Sequence, residues 1–167
     1  RPRSDLAGLL RRIAAGAPPG TRYRLSSLEP QDCTEEILDA VQAPICPHLH
    51  LPLQAGTDDG LRRMGRPYSV ADFEGLVLDA RRRIGPMLGL GTDLITGFPG
   101  ETEQEFEASC SFLRHLDLTH LHVFTWSPRP GTAALSDPGR VPVGTAKART
   151  RRLREIGAEL GARFASK

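Results

Sequence analysis

The chain has 167 residues, 39% of them hydrophobic and 25% charged, with a formal net charge of +2. That is enough for one domain with a core and excludes a disordered or coiled-coil protein. No apolar run approaches the roughly twenty residues of a membrane helix and the first residues lack a signal-peptide pattern, so a cytoplasmic protein is expected.

In chain order, Ser4 is placed to cap an amphipathic helix through LAGLLRRIAA, which stops at Gly16 and the Pro18-Pro19-Gly20 turn. Arg1 opens the lead-in to that helix without an initiator methionine, so a fragment of a longer protein is expected. A short strand is predicted in RYRLSSLEP, and Thr34 precedes a helix through EEILDAVQA. Pro44 and Pro47 punctuate, and a second strand, HLHLPLQ, begins at His48. At the two-residue period of a strand, Leu49, Leu51 and Leu53 point one way, while His48, His50, Pro52 and Gln54 point the other. The leucines require a core, and the opposite face must be hydrogen-bonded, liganded or wet.

A basic stretch, GLRRMGRPY, leads to Ser69, whose spacing to Asp72 predicts a capping box for VADFEGLVLDARRRIG. A third strand, LGLGTDLITGF, passes through Pro99-Gly100 to Thr102 and the helix EQEFEASCSFLRHL. A fourth, LHVFTW, runs into the turn Ser127-Pro128-Arg129-Pro130-Gly131 and a long C-terminal helix rich in arginine. Cys33, Cys46 and Cys110 fit no disulfide framework and no CxxC or CxxxCxxC signature, and read as free thiols. Cys46, His48 and His50 lack a second Cys/His pair at ligand spacing, so no metal ligands are assigned.

Strand alternates with helix through crossovers of the length a parallel sheet demands, so the fold class is α/β. Four strands cannot close a barrel, and the abrupt start favours the last four βα units of a partial (β/α) barrel over an open sheet. Ligands of parallel α/β sheets gather at the carboxyl ends of the strands. There the first strand offers Ser27 and Glu29, and the second His50, Pro52 and Gln54. The third offers Gly89, Gly91, Asp93, Ile95 and Gly97, where bare backbone lets a ligand approach, while Thr92, Leu94 and Thr96 pack outward. The fourth offers His122, Phe124 and Trp126, a wall suited to stacking on a flat heteroaromatic ring. One polar or glycine-rich parity against one aliphatic parity indicates an inward face built around a ligand; a structural network of buried polar groups gives the same pattern. GFPGET, residues 97 to 102, reads either as an anion-binding loop or as a plain βα turn with a capping threonine. No GxGxxG or Walker motif is present.

RLSSLEP, PHLHLPLQAGTDDGLRRMGRPYS, GTDLITGFPGETEQEF and HVFTWSPRPGTAA, in this order, resemble the second half of the radical S-adenosylmethionine domain of the methylthiotransferases. SSLEP and CPHLHLPLQ look most like the branch acting on N6-threonylcarbamoyladenosine beside the tRNA anticodon; the isopentenyladenosine and ribosomal-protein S12 branches are similar. The resemblance implies a six-stranded partial barrel in which a 4Fe-4S cluster, held by a CxxxCxxC loop after the first strand, cleaves S-adenosylmethionine. The resulting radical takes hydrogen from adenine C2, where a methylthio group is installed. The cysteine motif is not in this sequence, so the chain alone is expected to be inactive, with residues 1–140 an incomplete barrel and 141–167 a basic helix leading to an RNA-binding domain. An N-terminal domain with a second cluster is also expected elsewhere in the protein. Carried over by position, Ser27 and Glu29 lie near the methionine end of S-adenosylmethionine, Gln54 near its ribose, Asp93 on the inner wall, and Val123, Phe124 and Thr125 on the strand whose backbone meets adenine. Arg63 and Arg66 are expected to pair a carboxylate or an RNA phosphate. The chain departs from the family's usual pattern at Ala55 and Thr57, where serine is usual, and at Thr125-Trp126, where Pro-Tyr is common.

Two other readings compete. An HxH strand with a later histidine and aspartate is also the pattern of metal-dependent amidohydrolases, with His48, His50, His122 and Asp93 as ligands. The basic C-terminal helix, with Arg151, Arg152 and Arg154, is also what a non-catalytic RNA-binding module would carry.

Overall fold

The computed structural model describes residues 5–167. Ser4 lies outside the described residues; Asp5 caps the first helix, its carboxylate accepting from the Gly8 amide at 2.6 Å. The elements are α1 (Leu6–Ala15), α2 (Glu35–Ala40), β1 (His48–His50), α3 (Asp58–Arg63), α4 (Val70–Ile84), β2 (Gly89–Thr96), α5 (Glu103–His115), β3 (His120–Thr125) and α6 (Val143–Ala165). Among the described residues no helix is long and apolar enough to cross a membrane.

The predicted capping box of Ser69 with Asp72 starts α4, and the capping threonine, Thr102, forms a second box with Glu105 at the start of α5. Thr34 stands before α2 without a side-chain cap bond. The basic stretch contains a short helix, α3, because Thr57 accepts from the Gly60 amide and Asp58 and Asp59 sit in its positive first turn.

The three strands are parallel and lie in chain order, β1-β2-β3. Crossovers of this kind are right-handed, so consecutive order deposits their helices on one face of the sheet, as in a barrel wall, rather than on both. Leu49, Leu51, Leu53, Leu90, Thr92, Leu94 and Thr96 face those helices and are 0 to 2% exposed. Helix α6 packs on β2 and β3, with α5 beside it. Among the described residues the opposite face carries no helix, and Phe124 there is 54% exposed.

The expected first strand is not a ladder. Segment 21–29 follows β1 through two single bridges, Tyr23 with Ile45 and Ser27 with His50. Between them Pro47 has no N–H and the His48 amide donates to Cys46 O at 2.7 Å, so no donor faces the segment. β1 itself stops early because Pro52 has no N–H. The Thr92 hydroxyl spans the gap, donating to Leu51 O at 2.7 Å and accepting from Leu53 N at 2.9 Å, after which Gln54 N donates to Asp93 O at 2.8 Å. The order segment, β1, β2, β3 matches the expected stretch of barrel wall.

Candidate functional site

The strand register stacks the inner side chains in layers. His48 pairs with Gly89, His50 with Gly91, and Gly91 with His120; Asp93 pairs with His122 and Ile95 with Phe124. Gln54 bridges to Leu94, and its carbonyl accepts from Ile95 N. The layer of Gln54, Ile95 and Phe124 therefore lies toward the carboxyl ends, and the histidines lie below it.

At the carboxyl ends is a cleft of about 620 Å³ lined by Gln54, Arg63, Arg66, Asp93, Ile95, Phe98, Phe124, Thr125 and Trp126, among others. Trp126 meets Phe98 edge-on at 6.3 Å. Gln54 has φ +76°, a left-handed backbone that non-glycine residues rarely adopt, and is held there by Asp93 O and by Ile95 N, which donates to Gln54 O at 3.0 Å. Its carboxamide has no hydrogen-bond partner among the described residues.

Below this cleft is a second, of about 380 Å³, lined by Arg24, Ser27, His48, His50, Asp93, His120, His122 and Phe124 with two neighbours. The four imidazoles lie with neighbouring ring centroids 4.9 to 5.7 Å apart. His50 Nε2 is 2.8 Å and His122 Nδ1 3.3 Å from the same oxygen, Asp93 Oδ1. The Arg24 guanidinium lies 3.2 and 2.6 Å from the two ring nitrogens of His48. Burial, then the neighbouring imidazoles, push the His120 pKa down to about 4; burial and Arg24 lower that of His48. Both rings are therefore neutral at pH 7. Gly91 makes the layer fit: a Cβ there would come within 1.9 Å of His120 Nε2. The bare backbone expected to admit a ligand is thus covered by the protein's own imidazole.

The largest cleft, about 1020 Å³, lies elsewhere, near the amino ends of the strands between α1 and the 42–47 turn. Of its charged groups, Arg83 and Asp39 pair with each other at 2.8 Å, which leaves Arg22 without a convergent set of polar groups around it among the described residues.

The sequence-predicted residues divide. Gln54, Arg63, Asp93, Phe124 and Thr125 meet at the upper cleft and Ser27 at the lower. Glu29 pairs with Arg66 at 2.8 Å and lines neither cleft. Val123 is buried on the helical face, the parity opposite Phe124, and its carbonyl accepts from Arg154 at 3.3 Å. The Thr125 hydroxyl likewise bonds Thr150 of α6 at 2.7 Å. Arg63 pairs with Glu105 at 2.8 Å, so its carboxylate partner is internal. Amides of the GFPGET loop are engaged within the protein: Gly97 N donates to Glu101 Oε2 at 2.6 Å, Gly100 N to Gly139 O at 2.9 Å, Glu101 N to Phe98 O at 3.0 Å and Thr102 N to Glu105 Oε2 at 2.8 Å. Ile95 lies on the inner parity read from sequence and lines the upper cleft, whereas His120 and Phe98 were not singled out from sequence as site residues; two-residue parity from His122 was the available signal for His120.

The two competing readings fare differently. His50, Asp93 and His122 converge as a ligand set would, while His48 is turned to Arg24. The basic residues of α6 are largely engaged within the fold. Arg149 pairs with Glu101 at 2.8 Å and Glu103 at 2.7 Å, Arg152 with Glu107 at 2.8 Å, and Arg154 donates to Val123 O at 3.3 Å; just past the helix, Lys167 pairs with Asp117 at 3.1 Å.

Comparison with known proteins gives this geometry its context. The Radical SAM superfamily profile matches residues 2–113, most of the chain. The chain belongs to the radical SAM superfamily. Superfamily members use S-adenosylmethionine with a 4Fe-4S cluster. The radical SAM chain is 39% identical over 163 residues to threonylcarbamoyladenosine tRNA methylthiotransferase MtaB of Thermotoga maritima, covering 96% of this chain and 37% of that protein. It is 39% identical over 154 residues to tRNA-2-methylthio-N(6)-dimethylallyladenosine synthase of Moorella thermoacetica, covering 91% and 34%. It thus spans little more than a third of either relative. Among solved structures, the radical SAM fold superposes on coproporphyrinogen III oxidase of Escherichia coli with TM-score 0.66 at 23% identity, covering 84% of this chain and 32% of that one. It also superposes on the radical S-adenosylmethionine methyltransferase TsrM of Kitasatospora setae, with TM-score 0.58 at 23% identity, covering 71% and 24%.

Proposed function

We propose that this chain is the later part of the catalytic barrel of a radical SAM methylthiotransferase that modifies N6-threonylcarbamoyladenosine in tRNA, and that the upper cleft receives the adenosine part of S-adenosylmethionine. The observation that carries this reading is the convergence of Gln54, Asp93, Ile95 and Phe124 on one cleft at the carboxyl ends of parallel strands. Its volume falls within the range of cofactor sites. The half-exposed Phe124 ring offers a stacking face for adenine, the unpartnered Gln54 carboxamide a donor and acceptor for ribose hydroxyls, and Asp93 a further acceptor on the inner wall. Ser27 is directed to the methionine end. Arg66 holds Glu29 at the rim, and Val123 and Thr125 contribute backbone through the strand that carries Phe124.

When bound, S-adenosylmethionine supplies the hydrogen-abstracting and methyl-donating chemistry of this reaction. The chain's own cysteines do not fit a 4Fe-4S cluster. Cys33 and Cys110 are buried, with thiol pKa values raised by burial, to about 11 for Cys33, and neither lies at a shared site with Cys46. The cluster ligands and the remaining tRNA-binding surface are therefore assigned to other parts of a longer polypeptide. Its partner is the anticodon stem-loop.

The test is genetic and chemical: delete the gene in its host, digest total tRNA to nucleosides and measure them by mass spectrometry. The methylthio group is expected to vanish from N6-threonylcarbamoyladenosine and persist on dimethylallyladenosine. Loss from dimethylallyladenosine instead would move the chain to the other branch; loss from neither would overturn the proposal.

A further inference from the structure

The histidines below the cofactor cleft take no part in the proposed reaction, and two of them, together with Asp93 shared by both clefts, are arranged as a ligand set. The geometry points to a second site: His50 Nε2, Asp93 Oδ1 and His122 Nδ1 bind one divalent transition-metal cation of the zinc, cobalt or nickel class.

The three donor atoms all lie within 4.8 Å of one another, with both imidazole nitrogens at 2.8 and 3.3 Å from the carboxylate oxygen. Ligands around a tetrahedral ion with bonds of about 2.0–2.1 Å stand about 3.3 Å apart, which the His122–Asp93 separation matches and the His50–Asp93 separation approaches. Two imidazoles and one carboxylate are a borderline donor set, which suits these ions rather than magnesium or calcium.

The charge around the site agrees. Asp93 has no arginine or lysine partner among the described residues; its ion-pair contacts are His50 and His122 alone. Arg24, the cation lining the cleft, is turned to His48. The donors come from three different strands of one rigid sheet: His50 from β1, Asp93 from β2 and His122 from β3. The cleft beside them has room for water in the remaining coordination positions, and the His122 side chain is 57% exposed toward it. Neither His50 Nδ1 nor His122 Nε2 has a protein partner among the described residues. Outer hydrogen bonds of that kind strengthen metal binding, so the site is open and its ion exchangeable.

The experiment is a titration of the chelator-stripped 167-residue chain with zinc chloride by calorimetry, and with cobalt chloride by visible absorption. One equivalent is expected to bind. The cobalt form should show the d–d bands of four- or five-coordinate ion and no thiolate charge-transfer band. His122→Ala, at an exposed position that the fold does not require, and His50→Ala should each weaken binding at least tenfold, while His115→Ala on α5 leaves it unchanged. Circular dichroism of each variant confirms that it is folded. Absence of saturable binding at one equivalent would overturn the site and leave the trio a hydrogen-bonded network. So would affinity unchanged in folded His122→Ala, or binding that disappears only with Cys46→Ser.

Discussion

At Gly91 the inner face is decided by a single missing carbon. His120 Nε2 lies 1.9 Å from where a Cβ would stand, so Gly91→Ala must displace the ring or the strand. We expect a loss of about 1–3 kcal/mol in denaturant unfolding, most of it recovered in Gly91→Ala/His120→Ala. Additive losses would place the ring elsewhere. Gln54 makes a related point, since its left-handed backbone costs stability that a purely structural residue would not retain. Gln54→Gly should be more stable than Gln54→Ala by about 1 kcal/mol, yet both should bind S-adenosylmethionine equally weakly. Periodicity showed which way these side chains point, but not that Gln54 is left-handed or that Gly91 serves His120. Both depend on what the neighbouring strand brings across.

At the scale of elements, α6 is fastened to the loop beside the upper cleft. Arg149, 6% exposed, bonds Glu101, whose carboxylate also accepts from Gly97 N. Burial raises the Glu101 pKa despite these bonds; burial alone would lower that of Arg149, but Glu103 and Glu101 raise it, so the guanidinium stays charged. Arg149→Met strands a buried carboxylate and should cost about 3–5 kcal/mol, much more than the double replacement Arg149→Met/Glu101→Leu. Thermal melts of the two variants check this. Glu105 provides a pH signature. Burial would raise its pKa, but hydrogen bonds from Thr102 and Arg63 outweigh that and hold it below the ordinary glutamate value. Its folded pKa is thus depressed, so its stabilisation is present at neutral pH and is lost as pH falls through the carboxylate range. Glu105→Gln should flatten the acid limb of a plot of Tm against pH. The caps at Ser69 and Thr102 were legible in the sequence because they are local, whereas the reduction of the first strand to two bridges was not. That outcome depends on Pro47 and on the His48 amide turning to Cys46 O, in a partner segment some twenty residues away.

For the whole molecule, the decisive feature is consecutive strand order with helices on one face, which leaves the other face of the sheet uncovered among the described residues. Alternating elements and two-residue parity in the sequence implied that layout. Parity also put Val123 opposite Phe124, on the buried face where it lies, against its carry-over to the cofactor; nothing in the sequence showed that the basic C-terminal helix directs so much of its charge inward. Trp126, the only tryptophan, lines the upper cleft and reports on it directly. Titration of the chain with S-adenosylmethionine should change Trp126 fluorescence saturably, with affinity at least fivefold weaker in Gln54→Ala and in Phe124→Ala and unchanged in Gln42→Ala at the large distal cleft. No saturable change, or affinity indifferent to both Gln54 and Phe124, would contradict the assignment of this face to the cofactor.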